Sequence, residues 1–396
     1  MKYLYITCFI FFASFHISCQ ENEDTGLTNG GNTEPEEIIT YTEKAKQTFD
    51  LIQQYYKINS TGYYRENFPV QQGDRECSYL WSLDGLLSGV NQLVALGFDD
   101  PELNHSYVAL EGYYDTQRTP SAYAAFPVQY SQDDRFYDDN AIIAIDLIEN
   151  YEITNNAAYL NRAKEIAQFS LTGEDNSTGG GLYWSEQNRN NPESELCMKA
   201  VSSTAFSVTY LLRLYEHTDE EQYLQFAMRL YNWLNEYIQD PVDNLFWNDI
   251  RVSNNFVNTT KWTYNSGAMI TNNVLLYEIT GEEVYLDRAR TIAASTYSYF
   301  TRTVNSKLFF PANDSWFNVC LFRGYLDLLQ YDQTAQTYVN VFIQNADYAW
   351  SNARNEYDLF YEDWAGQNPG RDKWLLQQAG LVEMYGRIAI LKGEQQ

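Results

Sequence analysis

The sequence predicts an all-α fold, an (α/α)6 barrel of six inner and six outer helices, and three observations carry that prediction. The segments YEITNNAAYLNRAKEIA, YEHTDEEQYLQFAMRLY and YEITGEEVYLDRARTIA begin at Tyr151, Tyr215 and Tyr277, 64 and 62 residues apart; each reads as a helix end, a tight turn and a new helix. The helices on either side of the turn differ in kind. SSTAFSVTYLLRLY and NSGAMITNNVLLY are apolar on nearly every side, as buried helices are, whereas YLNRAKEIAQF and YLDRARTIAASTY carry one apolar stripe, as surface helices do. Extended along the chain, this alternation leaves the last inner helix without an outer partner and the first outer helix without an inner one. A closed ring lets the two ends complete each other. The alternative, an open solenoid of helical pairs, needs polar caps that neither terminus offers.

In chain order, the N-terminus has Lys2 followed by an apolar run of about 16 residues ending at Cys19, the shape of a secretory leader and short for a membrane span. Ile17-Ser18-Cys19 looks like a bacterial lipobox, in which Cys19 is lipidated; an ordinary signal peptide cleaved nearby is the alternative. The expected organisation is a leader and lipobox over 1–19, a flexible tether rich in Asn, Gly, Thr and Glu over 20–40, and the barrel over 41–396. Outer helices are expected at 41–57, 103–117, 157–170, 220–238, 283–300 and 334–353, and inner ones at 78–97, 138–152, 198–215, 263–279, 316–331 and 373–392. A second motif, Leu182-Tyr183-Trp184, returns as Leu245-Phe246-Trp247, Leu308-Phe309-Phe310 and Leu359-Phe360-Tyr361, and marks loops between the helical hairpins.

A formal net charge of -27 argues against nucleic acid, an anionic membrane surface or a polyanionic polysaccharide as partner, and favours a neutral ligand. The chain has 34 Tyr, 21 Phe and 9 Trp, flat rings that suit the faces of sugars, although the same rings can simply fill a large helical core. With only His105 and His217 outside the leader, a histidine metal centre is not available, and the sequence indicates no cofactor. Cys77, Cys197 and Cys320 are too scattered to outline a disulfide framework. Carboxylate chemistry is what remains.

The stretch RFYDDNAIIAIDLIENYEIT places Asp138 and Asp139 directly ahead of an apolar helix. Helix capping explains an acidic pair there, because carboxylates favour a first helical turn. Catalytic work is the other reading, because two neighbouring carboxyls at a turn into a helix can be aimed at one bond. Asp133 and Asp134, just upstream, read as a solvated loop.

YDDNA at 137–141, GGGLYW at 179–184, WTYNSG at 262–267 and the hairpin YEITGEEVYLDRA resemble glycoside hydrolase family 76 over most of the chain. The resemblance implies an endo-acting α-1,6-mannanase on an (α/α)6 barrel, working with retention on neutral α-mannan. It assigns Asp138 as nucleophile and Asp139 as general acid/base, and implies that Tyr137, Asn140, Trp184, Lys199, Trp262, Tyr264, Asn265 and Arg323 contact substrate. Arg323, in a mostly apolar helix, suits pairing with a carboxylate at least as well. Trp247 can serve the repeat or a sugar. The chain departs from the family at Ala200, Thr204, Ser266 and Asn318, positions expected to line subsites. The acidic run behind Cys19 resembles the surface-export signal of Bacteroidota lipoproteins, which implies a cell-envelope protein anchored by lipid to the outer membrane and facing outward. A glycan-binding protein that kept the groove and lost turnover is the rival function.

Overall fold

The computed structural model describes residues 39–312, 315–370 and 373–395. The leader, the lipobox at Cys19 and nearly all of the tether lie outside the described residues. Thr40, at the tether's end, caps the first helix: its hydroxyl accepts from the Glu43 amide at 3.1 Å while the Glu43 carboxylate accepts from the Thr40 amide at 2.7 Å.

Twelve helices of eleven residues or more follow among the described residues. They are α1 (Tyr41–Tyr55), α2 (Leu80–Ala95), α3 (Pro101–Glu111), α4 (Tyr137–Thr154), α5 (Ala157–Leu171), α6 (Val201–Thr218), α7 (Glu221–Trp233), α8 (Thr263–Thr280), α9 (Glu283–Phe300), α10 (Ser315–Leu329), α11 (Ala335–Asn352) and α12 (Leu375–Lys392). The even-numbered helices pack side by side in the order α2, α4, α6, α8, α10, α12 and back to α2. Each odd-numbered helix lies outside an even one, and α1 lies on α12. The ring is therefore closed, as the unmatched ends predict. Its seam is polar as well as apolar: Glu394 accepts from the Thr42 amide at 2.9 Å, and Asn67–Phe68 pairs antiparallel with Lys373–Trp374. None of these helices is long and apolar enough to cross a membrane.

The repeat that announced the fold is a capping device. Asn155, Asp219 and Gly281 end α4, α6 and α8 in the left-handed conformation (φ 57, 55 and 71°), each returning its N–H to the tyrosine of its repeat. The preceding Thr154, Thr218 and Thr280 donate to the carbonyl four residues back at 2.7 Å, and each hydroxyl accepts from the amide two residues on. These turns leave two residues between helices. Close approach of the inner ring rests on glycine: a Cβ at Gly267 of α8 would lie 2.7 Å from the Cys320 carbonyl oxygen of α10.

The Leu-aromatic motif is the matching device at the other end, where long loops return to the inner ring. Leu182, Phe246, Phe310 and Phe360 are buried, and their amides donate to Thr204 (3.0 Å), Ser266 (3.4 Å), Asn345 (3.0 Å) and Gln378 (2.8 Å). Two expected helices are trimmed here. The outer helix expected at 103–117 ends at Glu111 because Tyr114–Asp115 pairs with Ala122–Tyr123, and the inner helix expected at 198–215 begins only at Val201 because Met198–Ala200 is a strand paired with Asp249–Arg251.

Candidate functional site

The N-terminal ends of all six inner helices face one cavity of about 930 Å³. Trp81 enters it from α2, Asp138, Asp139 and Ile142 from α4, Ser202 and Phe206 from α6, Tyr264 from α8, Trp316 and Phe317 from α10, and Trp374 from the residue that caps α12. Helix N-termini carry partial positive charge, so six of them aimed at one space favour an anionic group there. One wall is aromatic: Trp81 and Phe317 stack with centroids 5.8 Å apart and planes 19° apart, and Trp374 meets Trp81 edge-on at 5.1 Å. Among the described lining residues Arg75 is the one cation, against Glu66, Asp74, Asp133 and Asp249 in addition to the aspartate pair.

Asp138 and Asp139 are the second and third residues of α4, both half-buried. Their surroundings differ. Oδ2 of Asp138 accepts from the Ser202 hydroxyl at 2.8 Å and from the Trp184 indole N–H at 3.1 Å, and Oδ1 accepts from the Asp139 amide at 3.2 Å. Burial pushes the Asp138 carboxyl up to about 6, with these donors restraining the rise. Burial also raises Asp139 well above the usual carboxylate range, and the charges of Asp138 and Asp134 raise it further. The pair is thus split into one carboxyl whose charged form is favoured by donors and one whose charged form is disfavoured by burial and like charge, a division that suits acid/base and nucleophilic work. Trp184 is delivered by the Gly179–Gly181 run. Gly181 has φ 73°, and a Cβ there would lie 2.7 Å from the Trp233 ring.

Of the residues expected at substrate, Trp184 and Tyr264 line the cavity. The six others do not, and the structure places them elsewhere. Tyr137 is wholly buried, stacked on Phe169 at 4.6 Å with its hydroxyl 3.0 Å from that of Thr172. Asn140 clamps the Tyr123 backbone, accepting at 2.8 Å and donating at 2.9 Å. Lys199 lies under the glycine loop: it donates to the Gly181 carbonyl at 2.9 Å, pairs with Asp175 at 2.9 Å and sits 3.7 Å from the Tyr183 ring centre, and burial lowers it to about 8. Asn265 is buried and donates to Asn248 at 3.3 Å, so Asn248 rather than Asn265 reaches the cavity. Arg323 holds Glu383 with bonds of 2.6 and 2.8 Å, deeper in the barrel. Trp262 is half-buried behind the wall, edge-on to Phe317 at 5.7 Å, and Trp247 donates to Asp240 at 3.2 Å away from the cavity.

The departures from the family pattern are mostly backbone contacts. Thr204 and Ser266 receive the loop amides named above, and Asn318 donates to the Pro311 carbonyl at 3.0 Å; only Ala200 lines the cavity. Asp133 and Asp134 are not a solvated loop. Asp133 lines the cavity, and buried Asp134 accepts from the amides of Arg135 and Gln187 at 2.8 and 3.0 Å. Sequence reasoning missed Ser202, Trp81 and Trp374. The signal for the tryptophans was their position, at the start of an inner helix like that of Trp262.

A closed ring of helix pairs with a split carboxyl pair in an aromatic-walled cavity is an architecture that suits the class of barrel proteins that cleave glycans. The chain belongs to glycosyl hydrolase family 76, whose model matches residues 40–392. It is similar to the α-mannanase BT2949 of Bacteroides thetaiotaomicron, at 28% identity, with 90% of this chain and 97% of that one covered and a TM-score of 0.81. An inactive variant of the α-1,6-mannanase of Salegentibacter sp. HEL1_6, with two consecutive aspartates replaced by alanine and in complex with α-1,6-mannotetrose, shares the fold (21% identity, 89% and 100% covered, TM-score 0.74). Among curated proteins, the mannan endo-1,6-alpha-mannosidase DCW1 of Candida glabrata is 24% identical over 139 residues, 34% of this chain and 30% of that protein. The chain thus matches about a third of the length of that curated relative.

Proposed function

We propose that this chain cleaves α-1,6-mannosidic bonds within mannan chains with retention of configuration, Asp138 acting as nucleophile and Asp139 as general acid and base. The observation that carries the assignment is the asymmetry of the pair: Ser202 and Trp184 donate to Asp138, and no donor among the described residues is recorded for the Asp139 carboxyl. Protonated Asp139 gives its proton to the glycosidic oxygen while ionised Asp138 attacks the anomeric carbon and forms a β-linked glycosyl-enzyme. The Asp139 carboxylate then takes a proton from water as it displaces Asp138, and the second inversion restores the α configuration. The acidic lining supports a neutral glycan, because a polyanionic chain would meet like charge on all sides but that of Arg75. The Salegentibacter enzyme, inactive without two consecutive aspartates, supports the use of the pair.

Incubation with debranched α-1,6-mannan, sizing of the products and proton NMR of the first anomer released test the reading. Internal cleavage to short oligosaccharides with α anomers first is expected; β anomers first would refute retention. Binding without new reducing ends would favour a glycan-binding protein, a reading that loses support because Thr204, Ser266 and Asn318 make backbone contacts rather than subsites. Lipidation of Cys19 and a place on the outer face of the outer membrane are part of the same proposal. A Cys19→Ala variant is expected to become soluble and keep its activity, and one that stayed in the membrane fraction would refute the anchor.

A further inference from the structure

Below the catalytic pair, the barrel axis carries acids that the proposed reaction does not use. Asp146 stands two helical turns along α4 from Asp139, on the same face. Asp84, on α2, stands one helical turn before Ser88, whose hydroxyl reaches the Asp84 carbonyl oxygen at 3.4 Å and Asp146 Oδ2 at 2.6 Å, so the two acids are neighbours between α2 and α4. Burial raises the Asp84 carboxyl, and the charges of Asp146 and Asp139 raise it further while that of Arg323 lowers it. Both acids are wholly buried. Ser88 donates to Oδ2 of Asp146 at 2.6 Å, but Oδ1 of Asp146 and both oxygens of Asp84 receive no hydrogen bond from an N–H or O–H among the described residues.

The nearby cations are already committed. Arg323 holds both oxygens of Glu383, and Arg387 bridges Glu383 at 2.6 Å and Glu149 at 2.9 Å. These arginines hold Glu383 and Glu149 below their usual range, so two charges of each sign cancel. Of the other ionisable groups nearby, Arg213 from α6 pairs with Glu152, Asp327 from α10 accepts from the Thr271 hydroxyl at 2.6 Å with Arg387 and Arg213 beside it, and burial keeps the Tyr107 hydroxyl from α3 and the Cys320 thiol from α10 neutral.

Two facing carboxylates with no donor would be prohibitively placed. One proton between them gives each a charge-assisted hydrogen bond. We propose that Asp84 and Asp146 share a single proton, and that the one negative charge left on the pair makes them positioning residues for Asp139, keeping its carboxyl protonated for the leaving group. The second clause rests on the reading of Asp139 as general acid; the first does not.

Because the charge belongs to the pair, replacing either acid by asparagine retains it on the other, and replacing both removes it. The alkaline limb of the kcat/KM profile is therefore expected to stay in place in Asp84→Asn and in Asp146→Asn. In the double variant it should move down by about one pH unit, the effect of one charge at about 10 Å in a protein interior. A limb unmoved in the double variant, or moved as far by one substitution, overturns the positioning role. The shared proton is read without turnover, by the infrared C=O stretch of a protonated carboxyl in aspartate-labelled Asp139→Asn protein at about pH 8. The band is expected in that background and should vanish on adding Asp84→Asn or Asp146→Asn; its survival in either overturns the sharing. Should the double variant fail to fold, these single substitutions still decide, and a protein with no mannanase activity would refute the proposed reaction while leaving this measurement intact.

Discussion

Ser202, the second residue of α6, donates its hydroxyl at 2.8 Å to Asp138, the second residue of the neighbouring inner helix α4. Equivalent positions on adjacent inner helices thus meet across the cavity mouth, and the carboxylate form of Asp138 gains a donor from outside its own helix.

Removing that donor should raise the Asp138 pKa, since the hydrogen bond favours the charged form. Ser202→Ala is expected to move the acid limb of kcat/KM up by about half a pH unit to one unit and to lower kcat/KM by about tenfold. Trp184→Phe should act in the same direction. A pH–rate profile checks both, and an acid limb that stays put in both variants would separate these donors from the nucleophile.

Azide distinguishes the two aspartates. With a substrate bearing a good leaving group, Asp139→Ala should still form the glycosyl-enzyme, and azide, which needs no base, should release an α-glycosyl azide. Asp138→Ala has no nucleophile, so azide entering from that face should give the β-azide. Opposite anomers, read by proton NMR, would exchange the roles.

Thr204→Val keeps the shape of the side chain and removes the acceptor for the buried Leu182 amide. A loss of about 1–3 kcal/mol in unfolding free energy is expected, with KM unchanged. Denaturant titration beside a kinetic assay checks this; a raised KM at unchanged stability would restore Thr204 to the substrate site.

Stability should peak at mildly acidic pH. Burial raises Asp138 to about 6 and Asp146 to about 7, and raises Asp84 and Asp139 well above their unfolded values. Such groups bind their protons more tightly in the folded state, so stability is full below about pH 4 and is lost as pH rises through the folded values. Glu149, lowered to about 2 with the charges of Arg387 and Arg323 beside it, works the other way, its contribution disappearing as pH falls from about 4.5. Calorimetry should find the highest Tm between about pH 4 and 5 and a decline toward pH 8, shallower in Asp139→Asn. A Tm that climbs steadily to pH 8 would contradict the arrangement.

Deleting residues 373–396 removes α12, against which α1, α2 and α10 all pack. Loss of a single cooperative transition is expected, because the core is shared around the ring. A truncated chain that melts as sharply as the whole would indicate locally sufficient helix pairs.

The helices were legible because their periodicity reflects burial, which is local in sequence: an inner helix such as α8 is apolar on all sides, and its outer partner α9 on one. The caps at Asn155, Asp219 and Gly281 were legible as a repeat for the same reason. Around the cavity, motif membership proved a poor guide to contact. Tyr137 and Asn140 flank the aspartates in sequence, yet at 100° per residue they turn away from the axis and serve the loop packing that fixes α4. Lys199 and Arg323 carry charges suited to a ligand, but each is neutralised by a carboxylate that lies far from it in sequence or on another helix. Ser202 could not be found from one helix alone, because its role exists only in the pairing of α4 with α6.

The connections are unequal. From inner to outer helix the chain uses at most five residues, whereas each return from outer to inner uses fourteen or more. All of the long returns reach the end where the inner helices begin, and the short capped turns lie at the other. Substrate footprint and foldability are therefore written in separate parts of the chain. A return segment can be lengthened, shortened or exchanged with that of a relative to reshape the groove, while the short turns at the far end keep the helix order intact.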